Sequence, residues 1–379
     1  MKSAMPWNND AAGSMRQMST LQRFFHIDGT LLTGLLLLAL CGLVVLYSAF
    51  DGGFEEVQKQ AVRLTVAFGA MVVIAQIPPS SLRRWSPWAY GLGVLMLVAV
   101  LLVGDIGKGA QRWLDLGVIR LQPSELMKLA LPMMVAWYFS ERPLPPRWTH
   151  VVICGVIIVA PVALITLQPD LGTSILIGAA GFFVLYMAGL RWRYIFGAII
   201  AAIPVGAAMW FFGMHDYQRQ RVLTFLNPES DPLGAGYHII QSKIALGSGG
   251  LFGKGWLNGT QSHLQFLPER HTDFVFAVLG EEFGLMGALQ ILALYLFVIG
   301  RGLYIAVNAQ DTYLRLLTGS LSLTFFVYVF VNMGMVSGLL PVVGVPLPLI
   351  SYGGTSLVTL MAGFGILMSI HTHRKLWSS

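Results

Sequence analysis

The sequence predicts an all-α polytopic membrane protein, and two observations carry that prediction. Of its 379 residues, 55% are hydrophobic and only 11% charged, whereas soluble domains run near one-quarter charged. The apolar residues also gather in uncharged runs of about 20, the length a helix needs to cross a bilayer. The 24 Lys and Arg give a formal charge of +6 but are scattered along the chain, so no nucleic-acid partner is expected. The two cysteines, Cys41 and Cys154, each lie inside an apolar run, which points away from a disulfide framework or a thiolate metal site.

In chain order, the uncharged spans are 31–50, 64–82, 85–104, 149–169, 171–190 and 194–214. A run at 283–300 extends backward past two glutamates to about residue 274. Between Arg315 and Arg374 no Lys, Arg, Asp or Glu occurs, which leaves room for two spans near 316–338 and 352–370. Residues 123–140, with Glu125 and Lys128 in their first turns, complete a set of ten transmembrane helices. An even number places both termini on one side. Basic residues of short loops set that side. Lys2, Arg16, Arg23, Arg83, Arg84, Arg142, Arg147, Arg191, Arg193, Arg301, Arg315, Arg374 and Lys375 fall on it, and far outnumber Lys59, Arg63, Lys108, Arg112 and Arg120 opposite. Both termini are therefore expected in the cytoplasm. Residues 1–29 read as a variable cytoplasmic tail before an uncleaved first anchor. Residues 30–373 read as one transmembrane domain and 374–379 as a short cytoplasmic tail.

Acidic residues do not set topology, so their placement is independent information. Only Asp10, Asp28, Glu141 and Asp311 fall on the expected cytoplasmic side, and the rest gather at the outer face. One large extracytoplasmic loop, 215–272, joins helices 7 and 8. Its Gly, Pro and aromatic punctuation predicts short amphipathic helices and turns over the outer mouth of the bundle. Within it, Gly247-Ser-Gly-Gly-Leu-Phe-Gly-Lys254-Gly255 looks like a phosphate loop. The pattern fails, because Ser248 and Gly255 stand where a phosphate loop has its spacing and its hydroxyl. No nucleotide site is expected.

Ionisable groups at membrane depth are costly and mark either function or a structural lock. Glu125 and Lys128 are three residues apart, on one helix face, and able to pair. Asp170, in Gln168-Pro169-Asp170-Leu171-Gly172-Thr173, can cap the helix that follows. Asp273 opens the eighth span after His271-Thr272, where a helix dipole favours an acid. Glu281 and Glu282 lie about two turns deeper, and Glu281 projects within roughly 80° of Asp273 on an unbroken helix. That face is expected to meet a polar cavity. Between the last two spans, Gly338 to Ser356 carries three prolines and several glycines without a charge. This reads as non-helical backbone dipping into the membrane, tolerated where protein buries it or a cavity faces it. Gly353 and Gly354 would leave free N–H groups there, suited to an anion. Two functions fit: an enzyme acting on a lipid-borne anionic substrate, or a lipid or ion transporter.

Specific strings narrow the choice. Gly107-Lys108-Gly-Ala-Gln111-Arg112-Trp113-Leu114 and Gln122-Pro123-Ser124-Glu125-Leu-Met-Lys128 resemble the signature before the fourth helix of the SEDS family (shape, elongation, division and sporulation). The Gln168–Thr173 turn, the stretch from Ser248 to Glu282 with Phe266-Leu-Pro-Glu269-Arg-His271-Thr-Asp273-Phe, and Ser351-Tyr-Gly-Gly-Thr-Ser356 are similar to its other motifs. The text around 107–121 and 258–273 is closest to the elongation-specific branch. The resemblance implies a peptidoglycan glycosyltransferase that polymerises lipid II, an undecaprenyl-diphosphate-linked disaccharide-pentapeptide, during cell elongation and rod-shape maintenance. It implies a class B penicillin-binding protein as transpeptidase partner, other membrane proteins of the elongation machinery, and the bacterial cytoplasmic (inner) membrane with the site facing outward. A lipid II flippase is the alternative.

The resemblance also implies that Asp273 is the catalytic carboxylate, that Glu125 and Lys128 face it, and that Arg112 and Asp170 are functionally sensitive. Sugar transfer that displaces a lipid diphosphate needs a base at the attacking hydroxyl and cations at the leaving group. Asp273 is the expected base, with Lys128 keeping it ionised. Lys108, Arg112, Arg219 and Arg221 are candidate diphosphate contacts. Trp113, Asp170, Glu281, Ser351, Gly353 and Gly354 are further candidate substrate contacts. A divalent cation, Mg²⁺ or Mn²⁺, bridging Asp273 and the diphosphate is expected rather than a dedicated metal cage.

Overall fold

The computed structural model describes residues 25–107, 110–115, 120–213, 216–230, 235–263 and 269–373. Its first helices are α1 (Gly29–Ala49), α2 (Phe54–Ala75) and α3 (Pro79–Val103). Next come α4 (Pro123–Phe139), α5 (Trp148–Leu167), α6 (Leu171–Met187) and α7 (Trp192–Ala208). The segment between α7 and the last three long helices holds α8 (Asp216–Leu226), α9 (Ala235–Ser248) and the single turn α10 (Thr260–His263). The chain closes with α11 (Val275–Val307), α12 (Thr312–Val336) and α13 (Thr355–Thr372). Among the described residues, seven helices are long and apolar enough to cross a membrane: α1, α2, α3, α5, α11, α12 and α13. The other three predicted spans, α4, α6 and α7, are helices of 17 residues each.

The all-α expectation needs one correction. Residues 105–121 form a small antiparallel sheet with strand order β1-β2-β3: β1 (Asp105–Gly107), β2 (Ala110–Asp115) and β3 (Arg120–Leu121). Gly107 pairs with Ala110. Leu114 then pairs with Leu121. The sheet stands directly before α4 and fixes where that helix starts.

Helices α12 and α13 form the centre, with 67% of their apolar windows inside the protein, against 22% for α2 and α3 and 17% for α5. Small residues make this possible, since backbones approach closely where side chains are short. A Cβ added at Gly365 of α13 would run into the Met71 carbonyl of α2, and one at Gly302 of α11 into the Ser322 hydroxyl of α12.

Between α12 and α13 the chain is non-helical, as the prolines and glycines predict, and Val345, Leu347, Leu349 and Ile350 are buried. Glycines on two helices receive it. A Cβ at Gly42 would overlap the Leu349 carbonyl, and one at Gly172 the Val343 carbonyl. Three side chains from different helices bond its carbonyls: Tyr295 Oη to Pro348 at 2.6 Å, Asn332 Nδ2 to Val345 at 2.7 Å and Gln60 Nε2 to Ser351 at 3.4 Å. Irregular backbone buried in protein is thereby supplied with partners it would lack in lipid.

Candidate active site

Asp273 lies just before α11, and its backbone is clamped from three sides. Asn332 Nδ2 donates to the Asp273 carbonyl at 2.9 Å, the Ser351 hydroxyl donates to the carbonyl of Thr272, and Tyr352 N–H donates to that of His271 at 2.8 Å. Upstream, the buried Arg270 pairs with Asp51 in the loop between α1 and α2. His271 stacks on Phe50 at 4.0 Å between ring centroids. Burial, and then the cationic Arg270, hold its imidazole below the usual histidine range, so the ring is neutral at pH 7. The half-buried Asp273 carboxylate sits against the backbone of Gly344, where an added Cβ would lie 3.5 Å from Oδ2.

Glu125 and Lys128, one turn apart on α4, pair at 2.7 Å with both side chains about one-tenth exposed. The Lys128 ammonium stands 5.4 Å from the centre of the Tyr328 ring. Tyr328 and Asn332 are four residues apart on α12, so they share one face of that helix. The same face therefore touches Lys128 through Tyr328 and Asp273 through Asn332. One helical turn of α12, about 5.4 Å of rise, connects the two charged centres.

Beside them runs a membrane-facing groove. Its outer part, about 410 Å³, is lined by Arg63, Arg120, Gln122 and Glu125 together with Val62, Val66 and Val358. Thr359 leads on to a narrower apolar cleft between α4, α12 and α13, with Lys128 and Tyr328 on its wall. A third branch reaches Ser351 and Gly353 through Tyr328. Arg63 lies over the Tyr352 ring at 4.3 Å, and Arg120 pairs loosely with Asp115 at 3.4 Å. The groove thus has two guanidinium groups at its mouth and hydrocarbon along its floor, a pattern that suits an anionic head on an apolar chain.

The other expected contacts fall elsewhere. Arg112 is held in the turn before α6: its guanidinium donates to the carbonyls of Gln168 and Pro169 and lies 3.7 Å from Asp170. Asp170 caps α6 through Thr173 N–H at 3.2 Å and accepts from Gln122 at 3.4 Å. Trp113 is half-buried on β2, in register with Asp105. Arg219 donates to the carbonyls of Trp210 and Phe211, in the π-helical stretch Met209–Gly213 that follows α7. Lys108 and the Arg221 side chain lie outside the described residues.

Two expectations are corrected. Glu281 and Glu282 face no cavity: they are 0% and 1% exposed. Glu281 accepts from Lys254, Thr260 and Gln261, and Glu282 from Ser48. The face argument failed because Asp273 lies outside the helix, which starts at Val275. Nor is the Gly353 N–H free, since it donates to Gln60 Oε1 at 3.4 Å. Ser351 is spent on the Thr272 carbonyl and the Leu347 N–H, while Gly354 caps α13 and lines the groove. Among the described residues no three His, Cys, Asp or Glu cluster to hold a metal ion.

The residues that sequence reasoning missed are Gln60, Arg63, Arg120, Tyr328 and Asn332. Asn332, an uncharged polar group inside the span predicted near 316–338, carried a weak signal, whereas Gln60 lay just before the span predicted at 64–82. Nothing in the sequence separated Arg63 and Arg120 from the other outer cations.

Comparison with known proteins fits this geometry. Residues 24–376 match the model of the FtsW/RodA/SpoVE cell cycle protein family. Over 353 residues the chain is 56% identical to the peptidoglycan glycosyltransferase MrdB of Escherichia coli K12, covering 93% of this chain and 95% of that one. It is 37% identical to a probable peptidoglycan glycosyltransferase FtsW of Geobacter metallireducens, covering 88% and 92%. Among solved structures it resembles a chain of a peptidoglycan synthase complex that coordinates polymerization and crosslinking. The TM-score there is 0.80 at 30% identity, over 92% of this chain and 99% of that one. The crystal structure of Thermus thermophilus rod shape determining protein RodA superposes with a TM-score of 0.69 at 27% identity, over 92% and 98%. A match that spans nearly every described helix and both halves of the groove leaves one assignment: the chain is an integral membrane protein of the FtsW/RodA/SpoVE family.

Proposed function

We infer that the chain is a peptidoglycan glycosyltransferase that polymerises lipid II in cell elongation. The carrying observation is the 56% identity to MrdB across 93% of the chain. The groove geometry supports it: a clamped carboxylate and a buried cation flank one turn of α12, beside a lipid-open groove with two guanidinium groups at its mouth. In the proposed reaction Asp273 takes the proton of an acceptor-sugar hydroxyl. The hydroxyl oxygen bonds to the donor's anomeric carbon as the carbon–oxygen bond to the diphosphate breaks. The lipid diphosphate leaves with the electron pair. Arg63 and Arg120 meet its charge at the groove mouth, and Lys128 steadies the developing charge deeper in.

All ten predicted helices span the inner membrane in this reading, with both termini cytoplasmic and the site outward. Exposed Trp85, Trp88, Trp148 and Trp192 support that orientation. They sit beside Arg84, Arg147, Arg191 and Arg193 at one end of the bundle, as aromatic belts and cytoplasmic basic residues do. A class B penicillin-binding protein is the proposed partner, in line with the synthase-complex neighbour.

The test is glycan synthesis from labelled lipid II by the full chain in proteoliposomes with that partner, wild type against Asp273→Asn. Polymer is expected from the wild type, and about 1,000-fold less from the folded variant, the middle of the range for a general base. Undiminished synthesis by the variant would remove Asp273 from the chemistry. A wild type that moved lipid II across the bilayer without making polymer would favour a transporter.

A further inference from the structure

The glycine string that mimics a phosphate loop has another use. Helix α11 breaks at Gly284, whose φ of 64° and ψ of −162° lie outside the helical range. A break strands carbonyls before it and N–H groups after it, and all of them need partners at this depth. Residues 250–255 supply these partners. Lys254 N–H donates to the Glu281 carbonyl and Gly255 N–H to that of Glu282, both at 3.0 Å. On the other side of the break, Leu285 N–H donates to Gly250 at 3.0 Å and Met286 N–H to Leu251 at 3.1 Å. The loop backbone is spliced into the gap.

The splice requires glycine on both strands. A Cβ at Gly249 would strike the Gly280 carbonyl, one at Gly253 the Glu282 carbonyl, and one at Gly284 the Gly253 nitrogen. Side chains then lock it. Lys254 Nζ reaches Glu281 at 2.7 Å, and the same carboxylate oxygen accepts from Thr260 Oγ1 at 3.1 Å and from Gln261 N–H at 2.9 Å. The locked piece is the outer half of α11, wholly buried from Val275 to Glu282, and it begins two residues after Asp273. Its near end is held by Asn332 and Ser351. Its far end is held by the loop.

We propose that Lys254 is a positioning residue for Asp273, acting through Glu281 and the spliced half-helix. The proposal rests on the glycosyltransferase reading. Without the ammonium, a fully buried carboxylate loses its cation, and the half-helix shifts to relieve it. A displacement near 1 Å at the reacting group is enough for about a 100-fold loss of rate. The groove, formed by α2, α4 and α13, is untouched, so substrate affinity is retained.

The experiment compares wild type, Lys254→Met and Lys254→Arg as full chains in proteoliposomes with the transpeptidase partner and labelled lipid II. It reads kcat, KM and the thermal melting of each chain. Lys254→Met is expected to lower kcat per folded molecule by about 10- to 100-fold with KM close to wild type, and to lower the melting temperature because the buried Glu281 loses its cation. Lys254→Arg, which keeps the cation, is expected to restore most of the rate. Unchanged kcat in Lys254→Met would overturn the proposal. So would an equal loss in Lys254→Arg, or a KM that rises as much as kcat falls. A wild type that makes no polymer refutes the glycosyltransferase reading itself, and the proposal with it.

Discussion

Two buried ion pairs stand at opposite ends of the bundle, and they are satisfied very differently. At the inner end Asp28 is 1% exposed and accepts four hydrogen bonds. Thr30 and Leu31 N–H groups cap α1 through Oδ1 at 2.9 and 3.1 Å, and Arg301 binds Oδ2 through Nη2 at 2.6 Å and Nε at 3.0 Å. At the outer end Glu125 accepts from Lys128 alone through Oε1, and its Oε2 is enclosed with no hydrogen-bond partner among the described residues. Burial and pairing are common to both. What separates them is the groove, which Glu125 lines and Asp28 does not. A fully bonded carboxylate holds helices together. One left short of donors beside a lipid-open groove retains capacity for a ligand.

Lys128→Met tests the comparison most severely. It is expected to lower polymer synthesis about 100-fold, the scale of removing one electrostatic group at a reacting centre. Synthesis per folded molecule that stayed intact while melting temperature fell would put the outer pair in the same structural class as the inner one. Arg63→Gln removes one guanidinium from the groove mouth and is expected to raise KM for lipid II about tenfold at unchanged kcat, the loss of one charge-assisted contact. An effect on kcat alone would move Arg63 from binding to chemistry. The smallest effect on activity belongs to Asp28→Asn. It should cost about 3 kcal/mol of stability by leaving Arg301 poorly compensated, read as a lower melting temperature, with synthesis per folded molecule within twofold of wild type.

The charge distribution made much of this legible. Uncharged runs mark the helices because lipid penalises charge, so each exception inside a run was visible: Glu125, Lys128 and Asp273 all stood out. Partners distant in sequence were not visible. Glu281 looked like a cavity residue because the cation that neutralises it, Lys254, lies 27 residues earlier in the loop. The helical projection also assumed that Asp273 lay within α11, which starts at Val275. Asn332 meets Asp273 59 residues away in sequence, and Gln60 meets Gly353 across 293. The small sheet escaped notice because a stretch as short as 105–121 gives too few residues for alternation to register.

The chain between α12 and α13 has a consequence for assembly. Its carbonyls are bonded by side chains from α2, α11 and α12, and its backbone is received by glycines of α1 and α6. The contacts from Gln60, Gly42 and Gly172 do not exist until helices from both halves of the chain have met. The segment that clamps Asp273 is therefore among the last parts to take shape during biogenesis. A partly inserted chain carries the carboxylate without the clamp.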